Sequence, residues 1–251
     1  MAEQSGIIPL KGTIGNITFY KSKDGYLARE KGSLNGKRIA TDSAFQRTRE
    51  NNTEFGRAGL AGKILRTSMR GLLQNASDSK MVSRLTTGMI KVLQADTTSI
   101  RGMRNMIDGE TELLQGFDFN VAAKLNTTLY APSTGTIDRA AGTLTVDMPA
   151  FVPYNMVAAP GGTTHYRINS AGVEIDFGVK VYTVDINNTP QLAWDNVETA
   201  PITLTNTVTP ASIHPLFLAV GIEFFQMVNG TMYTLKTGAY NALSLVKVSG
   251  L

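Results

Sequence analysis

At Gly116 the spacing of apolar residues changes. Before it they recur at helical intervals; after it they alternate, which divides the chain into a helical front and a β-rich back. From Ala44 to about Gln74 the helical spacing runs through Phe45, Thr48, Asn52, Phe55, Gly59, Gly62, Leu65, Met69, Leu72 and Leu73. Asp42 or Ser43 can cap its start. Gly56, Gly59, Gly62 and Gly71 each weaken a helix by roughly 1 kcal/mol relative to alanine. Their clustering implies close helix packing or a break near 56–62. A second helix is expected over 79–94, with Met81, Val82, Leu85, Met89, Val92 and Leu93 on one stripe. The short Asn75–Asp78 connection makes the two helices an antiparallel pair. A short helix over 110–115 stops at Gly116.

Beyond Gly116, strands are expected at 117–121, 125–130, 142–148, 164–170, 172–184, 191–194, 202–208, 216–227, 231–235 and 242–248. Turn signals separate them: Pro132 to Gly135, Pro160-Gly161-Gly162, Asn187-Asn188, Asn229-Gly230 and Thr237-Gly238. Antiparallel strands at this spacing predict a β-sandwich of Greek-key or Ig-like type. With 251 residues, 42% of them hydrophobic, the chain can bury one large core or two modest ones.

The front begins with another β feature. Ile17 and Phe19 alternate with Thr18 and Tyr20, Asp24-Gly25 turns, and Tyr26, Leu27 and Ala28 return, so residues 13–31 read as a hairpin. A lone hairpin is marginal in water and needs a surface to pack on. Residues 33–41 read as a polar linker. The expected organisation is therefore α+β in three parts: a hairpin arm and linker over 1–40, a helical segment over 41–116, and a β-sandwich over 117–251.

Charge divides along the same line. Residues 1–104 hold 18 Lys/Arg against 8 Asp/Glu, a balance of +10, whereas residues 105–251 hold 6 against 12, a balance of −6. A basic front can bind a polyanion, or the front of one copy can meet the back of the next. The helix contributes Arg47, Arg49, Arg57, Lys63, Arg66 and Arg70, interrupted by Glu50 and Glu54. Lys21, Lys23, Arg29, Lys31, Lys37 and Arg38 lie near Phe19, Tyr20 and Tyr26, and cations interleaved with aromatics suit single-stranded nucleic acid.

Signals for chemistry are sparse. The absence of cysteine removes disulfides, thiol catalysis and Cys-ligated metals. His165 and His214 are the only histidines, and no H-E-x-x-H, G-x-S-x-G or Walker A pattern occurs. Glu174 and Asp176, at i and i+2 on a strand, share a face and read as a carboxylate pair or as two solvent-facing acids. Trp194 reads as a core anchor or a sugar-stacking platform. No catalytic residue, cofactor or metal is expected. No apolar run of about 18 residues marks a membrane span. MAEQSGIIPLKG does not read as a signal peptide, so synthesis in the cytoplasm is expected, with presence in a released particle compatible with it.

The segments IGNITFYKSKDGYLAREKG, FQRTRENNTEFGRAGLAGKILRT, PGGTTHYRINSAGVEIDF and GIEFFQMVNGTMYTLKTGAYNALSLVKV resemble a group of uncharacterised proteins from Bacteroidota. The resemblance spans most of the chain and implies no catalytic residues. A Gly-rich start, a helix pair and a β-sandwich suit a building block of a repeating assembly.

The expected function is thus a non-enzymatic, self-assembling structural subunit of a filament, tube or phage-like particle. Its partner is itself. Ile14, Ile17, Phe19, Tyr20, Tyr26 and Leu27 of the hairpin make the apolar subunit contact, and Lys37, Arg38, Arg47 and Arg49 the charged one. The alternative is a nucleic-acid-binding or packaging protein using the basic N-terminal half. A carbohydrate-binding surface module is a third reading.

Overall fold

The computed structural model describes residues 2–4, 10–22, 25–32, 36–235 and 238–250. The expected turns at Asp24-Gly25 and Thr237-Gly238, the Asn35-Gly36 step and Lys23 each fall wholly or partly outside that set. The chain divides into two units, residues 1–50 and 51–251.

In the first unit, β1 (Ala2–Glu3), β2 (Gly12–Ile14), β3 (Ile17–Ser22) and β4 (Gly25–Glu30) form an antiparallel sheet in the order β1-β4-β3-β2. β3 and β4 are the two strands expected of the hairpin, in register from Ile17 opposite Glu30 to Ser22 opposite Gly25. Two short strands extend it, one on each edge. No described residue of this unit is buried. The expected linker contains α1 (Gly36–Thr41), whose Arg38 reaches Asp42 one turn on at 3.1 Å. Asp42 accepts from the Ala44 amide and so caps a 3-10 turn at Ser43–Phe45. That amide first, and Arg38 second, hold its carboxyl below the usual range.

α2 (Gln46–Ser68) starts in the first unit and continues as the first helix of the second. It runs without a break through its glycines, and Gly62 lies against Leu85 and Met89 of α4 (Met81–Ala95). Close packing is therefore the outcome here, and the irregularity falls later, at Met69, before α3 (Arg70–Leu73). The buried face of α2 carries Glu54, Ala58, Ala61, Gly62, Ile64, Leu65 and Ser68, so it is rotated from the expected stripe. Phe55 is 60% exposed. Small residues let the helices approach, and that selects the face more strongly than the few large apolar groups do. On α4 the expected stripe is buried, except Val82.

A 3-10 turn at Thr111–Leu114 takes the place of the short helix expected over 110–115. Next come α5 (Leu125–Thr128), β5 (Thr134–Asp138), β6 (Thr143–Met148) and α6 (Pro153–Met156). β7 (His165–Asp176), β8 (Val181–Asn188), β9 (Leu192–Ala193) and β10 (Ile202–Thr207) follow. β11 (Leu216–Val228), β12 (Thr231–Thr234) and β13 (Ala242–Ser249) complete the chain. The fold is α+β, with 27% of residues helical and 35% in antiparallel strands, and its main sheet is curled.

At the centre of that sheet, β7 and β11 pair over ten residues. β13 and β12 follow one another along the outer edge of β11, and β8 and β9 along the outer edge of β7. A second sheet, in the order β10-β6-β5, is also antiparallel. Side chains of β7 and β11 alternate between two cores. Ala171, Val173, Ile175, Phe217 and Ala219 pack with α2 and α4; Tyr166, Ile168, Leu216, Leu218 and Val220 pack with Leu144, Val146 and Leu204 of the second sheet.

Further expectations are corrected: residues 117–121 are not a strand and hold one isolated bridge, Asp118 to Ser244. Residues 125–130 are not a strand: the Thr127 and Thr128 hydroxyls donate to the Lys124 carbonyl, a local bond that favours a helical turn. β5 occupies part of the expected Pro132–Gly135 turn, and Gly135 packs closely there, since a Cβ would lie 3.3 Å from Leu218. The break expected near residue 171 falls instead at 177–180, where the Asp176 carboxylate accepts from the amides of Gly178 and Val179.

The β5–β6 connection turns on Gly142, at φ +70°. A Cβ there would sit 2.6 Å from the Val208 carbonyl oxygen and 2.8 Å from the Pro210 nitrogen. Gly142→Ala should cost about 3 kcal/mol and lower the melting temperature by roughly 6–12 °C. An unchanged melt would contradict this close approach.

Candidate interaction surfaces

Strand register sorts the expected contact residues of the N-terminal sheet into two sets. Ile14 is opposite Ile17, Gly12 opposite Phe19, Phe19 opposite Ala28, and Lys21 opposite Tyr26. Directly opposed residues share a face, so Ile14, Ile17, Phe19 and Tyr26 lie together, with the Lys21 ammonium 5.3 Å from the centre of the Tyr26 ring. Ile14 and Ile17 are 63% and 46% exposed. Tyr20 and Leu27 oppose each other on the other face, and the Arg29 guanidinium lies over the Tyr20 ring at 5.4 Å. The six apolar residues therefore make two surfaces, of which the first is the more continuous.

The four cations expected to join them are placed by α1 and the first turn of α2. Arg38 pairs with Asp42 and covers the Phe45 ring. Arg47 pairs with Glu50 at 3.4 Å. Arg49 donates to the carbonyls of Ile39 and Asp42, which ties α1 to the start of α2. Lys37 is exposed on α1. None of these stands on the strands that carry the apolar set.

The other basic residues of the helical segment also separate by what they touch. Arg57 donates to the carbonyls of Gly102 and Arg104. Arg84 binds Asp78 and the Asp118 carbonyl, and Arg104 lies 4.0 Å from Glu54. The side chains of Lys63, Arg66 and Arg70 have no hydrogen bond or ion pair among the described residues.

The candidates for chemistry each have partners within the fold. Glu174 is buried, and its carboxylate accepts from the Ser212 hydroxyl at 2.6 Å and the Thr209 amide at 3.1 Å. Burial opposes its charge, but the Ser212 and Thr209 donors and nearby His214 outweigh it and hold its pKa below the ordinary value. Asp176 shapes the β7–β8 turn and lies 3.6 Å from His214. Glu174 is thus not solvent-facing, and both acids are occupied. His165 contacts the Thr164 hydroxyl. Trp194 is half-buried: its indole donates to the Val157 carbonyl, and its ring lies 5.1 Å from that of Tyr154. No group of three or more potential metal ligands occurs among the described residues. No helix among them is long and apolar enough to cross a membrane.

Two arrangements were not anticipated from the sequence. Arg139 donates to the carbonyls of Ser212, His214, Ser249 and Gly250 and to the Ser249 hydroxyl. Asp96 is buried at the end of α4 and gathers the loop over 96–109 around its carboxylate. Spacing alone does not reveal the distant partners of either residue. Compared with family models, curated proteins and solved structures, the chain matches none.

Proposed function

We propose that the protein is a self-assembling structural subunit of a filament, tube or phage-like particle and catalyses no reaction. One observation carries the reading: the N-terminal sheet has no buried described residue, yet Ile14, Ile17, Phe19 and Tyr26 are aligned on one of its faces. A sheet of this size without a core is marginal alone. Each large apolar side chain that a partner covers contributes roughly 1.5–3 kcal/mol. The partner proposed is a second copy, because a front of +10 and a back of −6 are complementary within one sequence. A heterologous contact that does not close into a ring extends into a filament or tube. The Greek-key sandwich expected for 117–251 belongs to this proposal as the body of the subunit. Synthesis in the cytoplasm and release within an assembly, and kinship with the Bacteroidota group, belong to it too.

The test is size-exclusion chromatography with light scattering, beside negative-stain electron microscopy. The intact protein should form regular assemblies. A double Ile17→Lys, Phe19→Lys variant should weaken association by about 100-fold and run as a monomer with an unchanged melt of residues 51–251. Deleting residues 1–32 should do the same. A wild-type monomer at high concentration, or assemblies that survive both changes, would refute the proposal.

A further inference from the structure

Lys63 and Arg66 stand at i and i+3 on one side of α2, and Arg70 opens α3 just past the irregularity at Met69. With Thr67, Leu73, Gln74 and Met81 they line a concavity of about 410 Å³, and no acidic residue contributes to its wall. Like charges gathered around a hollow repel one another.

Their lack of partners distinguishes them further. Four arginines have an Nε closed to solvent without an acceptor: Arg66, Arg84, Arg104 and Arg167. Three are tied to a carboxylate through the same guanidinium: Arg84 to Asp78, Arg104 to Glu54 and Arg167 to Glu223. The Arg66 side chain alone of the four has no hydrogen bond or ion pair among the described residues. The Arg66 charge is therefore uncompensated among the described residues. Arg57, on the same helix, is by contrast spent on two loop carbonyls.

We infer that the Lys63–Arg66–Arg70 hollow binds phosphate oxyanions. Guanidinium groups match tetrahedral oxyanions with paired N–H donors, and the lysine adds a mobile point charge. The hollow is open and holds no aromatic side chain, so it would grip phosphates and leave bases unread. The phosphate can come from a nucleic-acid strand or from a free polyphosphate. This inference stands apart from the assembly reading, since the site lies in residues 51–251 and not on the N-terminal sheet.

The experiment titrates the full-length protein at low salt with two probes, pyrophosphate and a single-stranded oligothymidylate of about 20 nucleotides. It compares Lys63→Gln, Arg66→Gln, Arg70→Gln as a triple variant with a charge-matched triple at exposed Lys11, Lys91 and Lys124. Thermal melts check folding, and Arg70→Gln alone, at an exposed position, serves if the triple does not fold. The site triple should lose at least about tenfold in affinity, and its salt slope on the oligonucleotide should fall by about 2, near 0.7 per phosphate contact. The control should lose less than about twofold. Loss on both probes, with pyrophosphate bound as tightly as the strand, supports a free polyphosphate; much tighter strand binding supports nucleic acid. Absence of binding, or equal loss in both triples, overturns the inference. So does a site triple that binds normally but assembles differently, because the cations would then face an acidic surface of another copy.

Discussion

Arg139→Ala should destabilise the protein by about 3–5 kcal/mol, a fall in melting temperature of roughly 10 °C or more. The guanidinium supplies donors to the loop over 212–214, with the Ser212 and His214 carbonyls at 2.8 and 2.7 Å. It supplies others to the chain end, at the Ser249 carbonyl and hydroxyl and the Gly250 carbonyl. One side chain thus fastens the end of β5, the approach to β11 and the end of β13. Five acceptors converge on a planar fork, and alanine would remove all of these donors at once. Arg139→Lys should recover only a minor part, because an ammonium cannot span both groups. Thermal melts measure the loss, and hydrogen exchange should report opening along β13 first. A lysine variant as stable as the wild type would show that charge alone holds this corner.

Asp96→Ala should be nearly as costly, about 3–4 kcal/mol. The buried carboxylate accepts from the amides of Thr98 and Ser99 at 2.9 Å, from the Thr98 hydroxyl at 3.0 Å and from the Asn105 amide at 3.1 Å. Burial opposes its charge, but the Ser99 and Asn105 amides and the Ser99 and Thr98 side chains win and depress its pKa well below the carboxylate range. A depressed pKa contributes stability that is present above the unfolded value, about 3.9, and is lost as pH falls through the folded value. The gap between wild type and Asp96→Ala should therefore be widest above about pH 4 and shrink in stronger acid. Asp96→Asn, with one good acceptor, should fall between them. Limited proteolysis should cut the variants within 96–109. A gap that does not change with pH would contradict the role given to the charge.

That loop shows why part of the architecture could be read from the sequence and part could not. Helix α4 was visible because Met81, Leu85, Met89 and Val92 repeat at helical spacing and all become buried. The hairpin strands β3 and β4 were visible because alternation and Asp24-Gly25 are local signals. The loop over 96–109 has neither period nor turn signature. Its order comes from Asp96, from Glu54 accepting the Gly102 amide at 2.8 Å, and from Arg57, the last two over forty residues away in sequence. The buried face of α2 was misjudged for a related reason, since Glu54 is drawn inward by that loop while Phe55 faces solvent. Among the interface candidates, the alternation in β3 was plain. That alternation already separates Tyr20 from Ile17 and Phe19, whereas placing Leu27 beside Tyr20 depends on cross-strand register, and the occupation of Arg38, Arg47 and Arg49 by their own neighbours on three-dimensional contacts.

The central strands carry a consequence for how the chain finds its pairing. In a sheet with one wet face, a one-residue slip is penalised at once, because it turns oil toward water. β11 is lined by apolar groups on both sides over most of its pairing with β7, so polarity discriminates weakly against a slip of that strand. Volume must discriminate instead. Ala171 and Ala219 stand directly opposite each other beneath the helices, while the alternate positions carry Leu218, Val220 and Ile222 toward the other sheet. A slipped strand would force leucine or isoleucine into space built for alanine and leave voids where they had been. Fidelity of assembly within this sheet is a matter of fit, enforced by the smallest side chains on its longest strands.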